Sequence, residues 1–435
     1  MGHGDHRLTA AEIDLLLEIL SISTVTPLET RQPALIEEAQ CLFAAYAGEL
    51  GMSTVSHAPP QASSLEGVDV PAHVRELHAE IGEEYLDCQP NLVLRLGPER
   101  ALQHTVAINV HIDTVGDAPR LRREGDRIWG RGAIDMKGPA VAVLSAIRQA
   151  QAMRPELSER TTIVVQCVAG EEGGAMGVHG TRVVMDAGYG GCLTIFAEPS
   201  GGVYFDRSDA TMTAAIEVNG AGATDDSPTA AHNATILLGH VSTSLARELD
   251  AATRALGGRL CIAGVCTGPR HDRVYGTGRL LVNIAYSNLH AGRRLGALLE
   301  TALADALESF SRDFAGIAVA RRTAAQAREI CGVHWIKRDL PVLQNRSPRW
   351  EAMLAATGIR RADDHTRAIT CDAIWGARPG MYSIVFGPGD LERNGAHTDR
   401  EFVDLRDLDA YARTLALILL RFDDHLAAQD LERAA

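Results

Sequence analysis

The chain has 435 residues, 46% apolar and 23% charged, with a formal net charge of −14. That length exceeds one ordinary domain, so two are expected. The acidic balance argues against nucleic acid as a partner, because phosphate contacts need clustered Lys and Arg. No apolar run reaches the length of a membrane span, so no membrane partner is expected. Eight cysteines without a Cys-x-x-Cys pair read as reduced core residues rather than a disulfide frame. The start, Met1-Gly2-His3-Gly4-Asp5-His6, has neither the charged nor the apolar region of a leader. These features together lead us to expect a cytoplasmic protein of enzyme size.

Thr9 to Leu20 carries Ile13, Leu16, Leu17 and Leu20 at helical spacing, with Thr9 and Glu12 placed as a capping box. A second helix is expected over Gln32 to Leu50. Ser56 to Asp87 is polar and lacks a clear period, so it reads as a surface insertion with a short helix near His73 to Ile81. Strands are expected at Asn91–Leu96, Thr105–Val110, Thr162–Val168 and Leu193–Ala197, with a helix from Pro139 to Met153. Strands alternating with helices give an α/β class with a mostly parallel sheet sandwiched by helices. From about Asp206 the pattern changes. Strands at Thr211–Val218, Leu260–Val265, Leu280–Ile284 and Ile317–Ala320, with helices at Asn233–Ala255 and Leu295–Phe310, give an inserted ferredoxin-like βαββαβ unit. The expected boundaries are therefore 206–321 for this insertion, with 1–205 and 322–435 forming the main domain. The α/β pattern resumes with a helix at Ser347–Thr357, the strand Met381–Phe386 and a long helix from Leu405 to Leu426.

Polar groups follow the strands or open loops. They are His111 and Asp113, Asp135, the pair Glu171-Glu172 between glycines, Glu198, and His397 in Gly395-Ala396-His397-Thr398. A lone His or Asp in a loop is usually solvated or structural. Successive strand ends are different, because a parallel sheet brings them to one rim. Imidazoles and carboxylates suit divalent ions, zinc by ligand type, with cobalt or manganese also fitting. Two ions need a shared carboxylate with ligands on each side. Asp135 can bridge, His111 and Glu198 can complete one ion, and Glu172 and His397 the other. The Asp113 carboxylate, two residues from His111, is placed to fix the His111 ring and raise its basicity. Glu171 then stays off the ions as the base that takes a water proton and hands it to a leaving amine.

These motifs resemble those of the di-zinc aminoacylase and carboxypeptidase family, which includes acetylornithine deacetylase, succinyl-diaminopimelate desuccinylase, glutamate carboxypeptidase and some dipeptidases. The stretches that carry the resemblance are His111-Ile-Asp113-Thr-Val, Gly130-Arg-Gly-Ala-Ile-Asp135-Met-Lys-Gly138, Gly170-Glu-Glu-Gly173, Glu198-Pro-Ser and Ala396-His397-Thr398. The resemblance implies hydrolysis of an amide beside a carboxylate with two metals. It implies a small acyl-amino-acid or peptide-like substrate, and a homodimer joined through an inserted lid and dimerisation domain.

Two departures stand out against that pattern. Thr224 stands where the family's lid has a histidine that helps stabilise the oxyanion, and Ala285 where it has an arginine that grips the substrate carboxylate. His232, His240 and His271 are the candidate substitutes. An atypical substrate, a non-hydrolytic family reaction and an inactive metal-binding scaffold are the other readings. Cys371 in Cys371-Asp372-Ala373 reads as a small buried residue rather than a nucleophile.

Overall fold

The computed structural model describes residues 7–434 except residue 118, with side chains to residue 429. The leader reading at Met1–His6 lies outside the described residues. The chain divides into two compact units. One comprises Met1–Glu66, Val74–Ser208 and Val342–Ala435, the other Gly67–His73 and Asp209–Pro341.

In chain order the larger unit first supplies α1 (Ala10–Ser21), α2 (Ile36–Glu49), β1 (Ser53–Ala58), β2 (Asn91–Leu96), β3 (Thr105–His111), α3 (Lys137–Met153), β4 (Thr162–Val168), α4 (Thr181–Asp186) and β5 (Leu193–Pro199). The smaller unit supplies β6 (Ala210–Asn219), α5 (Ala234–Ala255), β7 (Arg259–Cys266), β8 (Thr277–Tyr286), α6 (Leu289–Asp313), α7 (Arg321–Ile330) and β9 (Cys331–Lys337). The larger unit resumes with α8 (Pro348–Ala355), β10 (Tyr382–Gly387) and α9 (Leu405–Ala434).

The large sheet has the order β1-β2-β4-β3-β5-β10. Its last four strands are parallel, and β1 and β2 are joined to it by antiparallel pairs. Period-two patterning assigns the two faces. Val106, Ile108 and Val110 of β3 join the main core with α1, α3 and α9, while Ala107 belongs to a smaller cluster on the other face with Val184 of α4. The capping box at Thr9 and Glu12 is formed: Glu12 N–H donates to Thr9 Oγ1 at 3.2 Å, and Thr9 N–H to Glu12 Oε2 at 2.7 Å. β1 escaped the sequence reading because Ser53-Thr-Val-Ser-His-Ala58 has no apolar alternation. It is an edge strand with no fully buried side chain.

In the small unit the antiparallel sheet runs β7-β8-β6-β9, the ferredoxin-like order. The fourth strand is not Ile317–Ala320, which forms turns. α7 follows, and β9 fills that place beside β6. The unit therefore runs on to Pro341, beyond the expected boundary at 321. The extra helix was illegible because Arg321-Arg-Thr-Ala-Ala-Gln-Ala-Arg-Glu-Ile330 offers only small side chains, Thr323, Ala324 and Ala327, to the interior. The chain enters and leaves the small unit side by side. Arg207 and Ser208 pair antiparallel with Gln344 and Leu343.

Candidate metal centre

The parallel strands deliver the acidic and histidine side chains at one rim. His111 is the last residue of β3, in register with Val168, the last of β4. Three residues beyond Val168 the Glu171-Glu172 turn begins, and Glu198 sits on β5. Asp135 precedes α3, and His397 lies in the loop between β10 and α9.

Asp135 stands between the two imidazoles. Its Oδ1 is 3.1 Å from His111 Nε2, and its Oδ2 is 3.0 Å from His397 Nε2. Glu198 Oε1 is 3.4 Å from His111 Nε2, and Glu172 Oε1 is 3.1 Å from His397 Nε2. Ligand atoms of His111, Asp135 and Glu198 lie within 4.8 Å of one another, as do those of Asp135, Glu172 and His397. The structure thus brings the two expected ligand groups together around one shared carboxylate. Glu171 is partly exposed, and one of its oxygens lies within 4.8 Å of ligand atoms of His111 and Glu172.

Asp113 differs from its expected geometry. His111 Nδ1 lies 3.0 Å from the Asp113 backbone carbonyl and 3.7 Å from the carboxylate. The carboxylate instead accepts the Glu172 N–H at 3.0 Å and, more weakly, the Glu171 N–H at 3.5 Å. Asp113 therefore orients the ring through its main chain and anchors the glutamate turn through its side chain. A two-residue spacing does not reveal which of the two acceptors a ring will choose.

The charge balance fits cations. Asp113, Asp135, Glu172, Glu198 and Asp372 are all buried, against His111 and the half-exposed His397. Packing buried carboxylates together is costly unless positive charge joins them. Burial, then Asp135, pushes both Glu172 and Glu198 up to about 7, with the nearby imidazoles opposing. Burial, then Glu172, raises Glu171 well above the usual glutamate range. Asp135 and Glu172 hold His397 up at about 11. Metal ligands must be deprotonated. Metal uptake near neutral pH is therefore expected to expel protons from His397, Glu172 and Glu198, and affinity should rise with pH. Calorimetric titration with zinc in two buffers of different ionisation enthalpy checks this; identical observed heats would contradict it.

Supporting residues emerge, of which Glu401 and Asn394 were not singled out in the sequence, while Lys137 and Asp372 lie in motifs read there without an assigned role. Glu401, fully buried, pairs with the Arg131 guanidinium and accepts the Ile134 and Asp135 N–H groups at 3.2 and 3.4 Å. Its position four residues after His397 ties the histidine loop to the Asp135 turn. Asn394 braces the same loop, accepting the Asp390 N–H at 3.0 Å and donating to the Phe402 carbonyl at 3.1 Å. Lys137, buried just after the Asp135 turn, donates to the carbonyls of Ile19 and Ile22 at 3.1 and 2.9 Å. Burial lowers its pKa to about 7. Asp372 is buried with Oδ2 accepting from Thr181 Oγ1.

The glutamate turn depends on glycine. Gly170 has φ +76°, and a Cβ there would lie 2.1 Å from His179 Nε2. His179 is fully buried and held by Gln89 Oε1 at 3.1 Å. Gly170→Ala combines a left-handed backbone with overpacking and is expected to cost about 2–4 kcal/mol. Turnover should fall with it, since the turn carries Glu171. Urea denaturation beside steady-state assays tests both; an unchanged midpoint would contradict the packing.

Within the small unit, Thr224 is exposed and Ala285 is 6% exposed in β8. His232 is buried, accepting the Ala221 N–H on Nδ1 at 2.8 Å and lying 2.9 Å from Gln326 Oε1 on Nε2. His240 Nε2 meets Ser309 Oγ at 2.8 Å, and its ring packs edge-on to Phe310 and Phe314. Both rings are occupied by core duties. His271 is exposed.

The profile of peptidase family M20/M25/M40 matches residues 107–421. The chain belongs to that family. The match includes every candidate ligand and the whole of β6 to β9. A Pyrobaculum aerophilum protein that carries the name LysW-lysine/LysW-ornithine hydrolase is 39% identical over 74 residues, 17% of this chain and 20% of that protein. The match thus spans about a fifth of the length of that curated relative. Among solved structures, the M20 family metallo-carboxypeptidase Sso-CP2 from Sulfolobus solfataricus aligns over 96% of this chain and 100% of its own, with TM-score 0.67 and 12% identity. The Bacillus subtilis YXEP protein, described as a dinuclear metal binding peptidase of the M20 family, aligns over 94% and 96%, with TM-score 0.56 and 12% identity. At those identities the two likenesses bear on the fold. Among the described residues no helix is long and apolar enough to cross a membrane.

Proposed function

We propose that this M20 chain is a two-metal amidohydrolase that cleaves the amide bond of an N-acyl amino acid or a dipeptide-like compound. The carrying observation is Asp135, whose two oxygens each face one of the two histidines, with a separate carboxylate completing each side. His111, Asp135 and Glu198 would hold one divalent cation, and Asp135, Glu172 and His397 the other. Zinc is favoured by the imidazole and carboxylate set. Bound there, divalent cations would supply the acidity that activates a water and the polarisation of the carbonyl to be attacked.

The remaining work falls to the chain. Glu171 stands beside both ligand groups without a place in either. It accepts the proton of the attacking water and delivers it to the departing nitrogen. Its raised pKa suits the first step, since a carboxylate of higher proton affinity takes a proton from water more readily near neutral pH. Asp113 keeps the turn that bears Glu171 and the ring of His111 in one frame. The relative named LysW-lysine/LysW-ornithine hydrolase supports an amide beside an amino-acid carboxylate.

The exposed Thr224 and buried Ala285 support a substrate held differently from the family's usual one. A cytoplasmic location accords with eight free cysteines. A homodimer through the small unit accords with β7, which has no strand on its outer side among the described residues and leaves Val265 49% exposed. The test is turnover of a panel of N-acyl amino acids and dipeptides with zinc, cobalt or manganese added. Stoichiometric metal without turnover of any member would overturn the hydrolase reading.

A further inference from the structure

We propose a third cation site beside the two already described, formed by Cys371, Asp372 and Glu198 and suited to a thiophilic divalent ion. One ligand atom from each of the three lies within 4.8 Å of the others, and all three residues are buried. A zinc- or cobalt-sized ion holds thiolate and carboxylate ligands at about 2.0–2.3 Å, so ligands of one ion stand within that mutual reach.

The independent observation is Asp372. It is 1% exposed, and its Oδ1 has no hydrogen-bond partner among the described residues. Its Oδ2 is taken by Thr181, on the side of Gly177. The Thr181 hydroxyl also accepts from Asn109 Nδ2 at 2.9 Å, which leaves its own proton for Asp372. The amide of Asn109 further donates to Gln166 Oε1 at 3.0 Å. This polar chain ends on Asp372 as an acceptor, as an ionised carboxylate requires. A buried carboxylate with one oxygen unpaired among the described residues is costly. An ion between Asp372, Cys371 and Glu198 removes that cost.

Cys371 adds chemical character. Its Sγ is 3.8 Å from Ser208 Oγ, and its N–H donates to the same hydroxyl at 3.3 Å. Ser208 also donates to the Ile369 carbonyl at 2.9 Å, so the segment that carries the thiol is fixed in place. A mixed thiolate and carboxylate set selects zinc, cobalt or cadmium over magnesium or calcium. Glu198 also belongs to the His111 and Asp135 group and would link the third ion to the ion held there, as carboxylates do between neighbouring metals. Binding releases the Cys371 proton to solvent.

The experiment titrates the metal-free full-length protein with cobalt(II) and follows bound metal and the absorption spectrum. The expected result is three equivalents, the third bringing an intense near-ultraviolet thiolate-to-cobalt charge-transfer band. Cys371→Ser and Asp372→Asn should each keep two equivalents and lose the band. Saturation at two equivalents, or a third without the band, overturns the third site. Failure of the first two equivalents to bind tells instead against the two-metal centre, so the outcomes separate. Circular dichroism of both variants confirms that they fold.

Discussion

Replacing Glu171 by Ala is expected to lower turnover by about 10²–10⁴-fold, the usual worth of a positioned acid–base group. Both metal equivalents should stay bound, because Glu171 is not needed by either Asp135-centred group. KM should change little. The structure separates this outcome from a packing defect, since Glu171 is partly exposed and its loss leaves no large cavity. Glu171→Asp keeps the charge but withdraws the carboxylate by about 1.5 Å, one carbon–carbon bond, and should restore only part of the rate. Near-normal turnover in the Ala variant with two metals bound would remove Glu171 from the chemistry.

Asp135→Asn should have the larger effect on metal content. An amide offers one weak oxygen donor where the carboxylate presents two, and here the two oxygens serve different histidines at 3.1 and 3.0 Å. Mutation of outer-shell partners costs ~10–100-fold in metal affinity or activity, so a shared ligand should cost more than about 100-fold for both ions together. Equilibrium dialysis followed by elemental analysis measures it. Loss of one ion with the other held at wild-type affinity would show that Asp135 does not bridge. His397→Ala makes the contrasting case. Only the Asp135 and Glu172 side loses a ligand there, so one equivalent should remain tight.

The ligand set was legible because His111, Glu172 and Glu198 lie at or just after apolar strands whose ends share a rim, while Asp135 and His397 sit in glycine-bearing loops. Glu171 and Glu172 could be told apart in role only by their company, since adjacent residues in a tight turn differ little in sequence. The braces were harder to see. Glu401 and Asn394 act through a buried ion pair and backbone hydrogen bonds, and neither has a spacing that announces it. Asp113 was placed near the right ring with the wrong atom, because side chain and carbonyl of one residue compete at similar distance. In the small unit, β9 was missed because Cys331-Gly-Val-His-Trp-Ile-Lys337 is mostly half-buried and lacks strict alternation. His232 and His240 show a limit of another kind. A histidine near a suspected vacancy reads as a substitute until its hydrogen bonds are counted.

The side-by-side pairing of Arg207-Ser208 with Leu343-Gln344 bears on how the polypeptide matures on the ribosome. β5, buried along its whole length, is synthesised before the small unit, while β10, its parallel neighbour in the finished sheet, is synthesised after it. The small unit is nearly contiguous in sequence and can fold while the rest of the chain is still being made. Until Tyr382–Gly387 emerges, β5 presents an open apolar edge of the kind that recruits foreign strands. A nascent chain that stalls between Pro341 and Tyr382 is thus the form expected to be most exposed to aggregation, an interval that begins at the short antiparallel neck of residues 207–208 and 343–344.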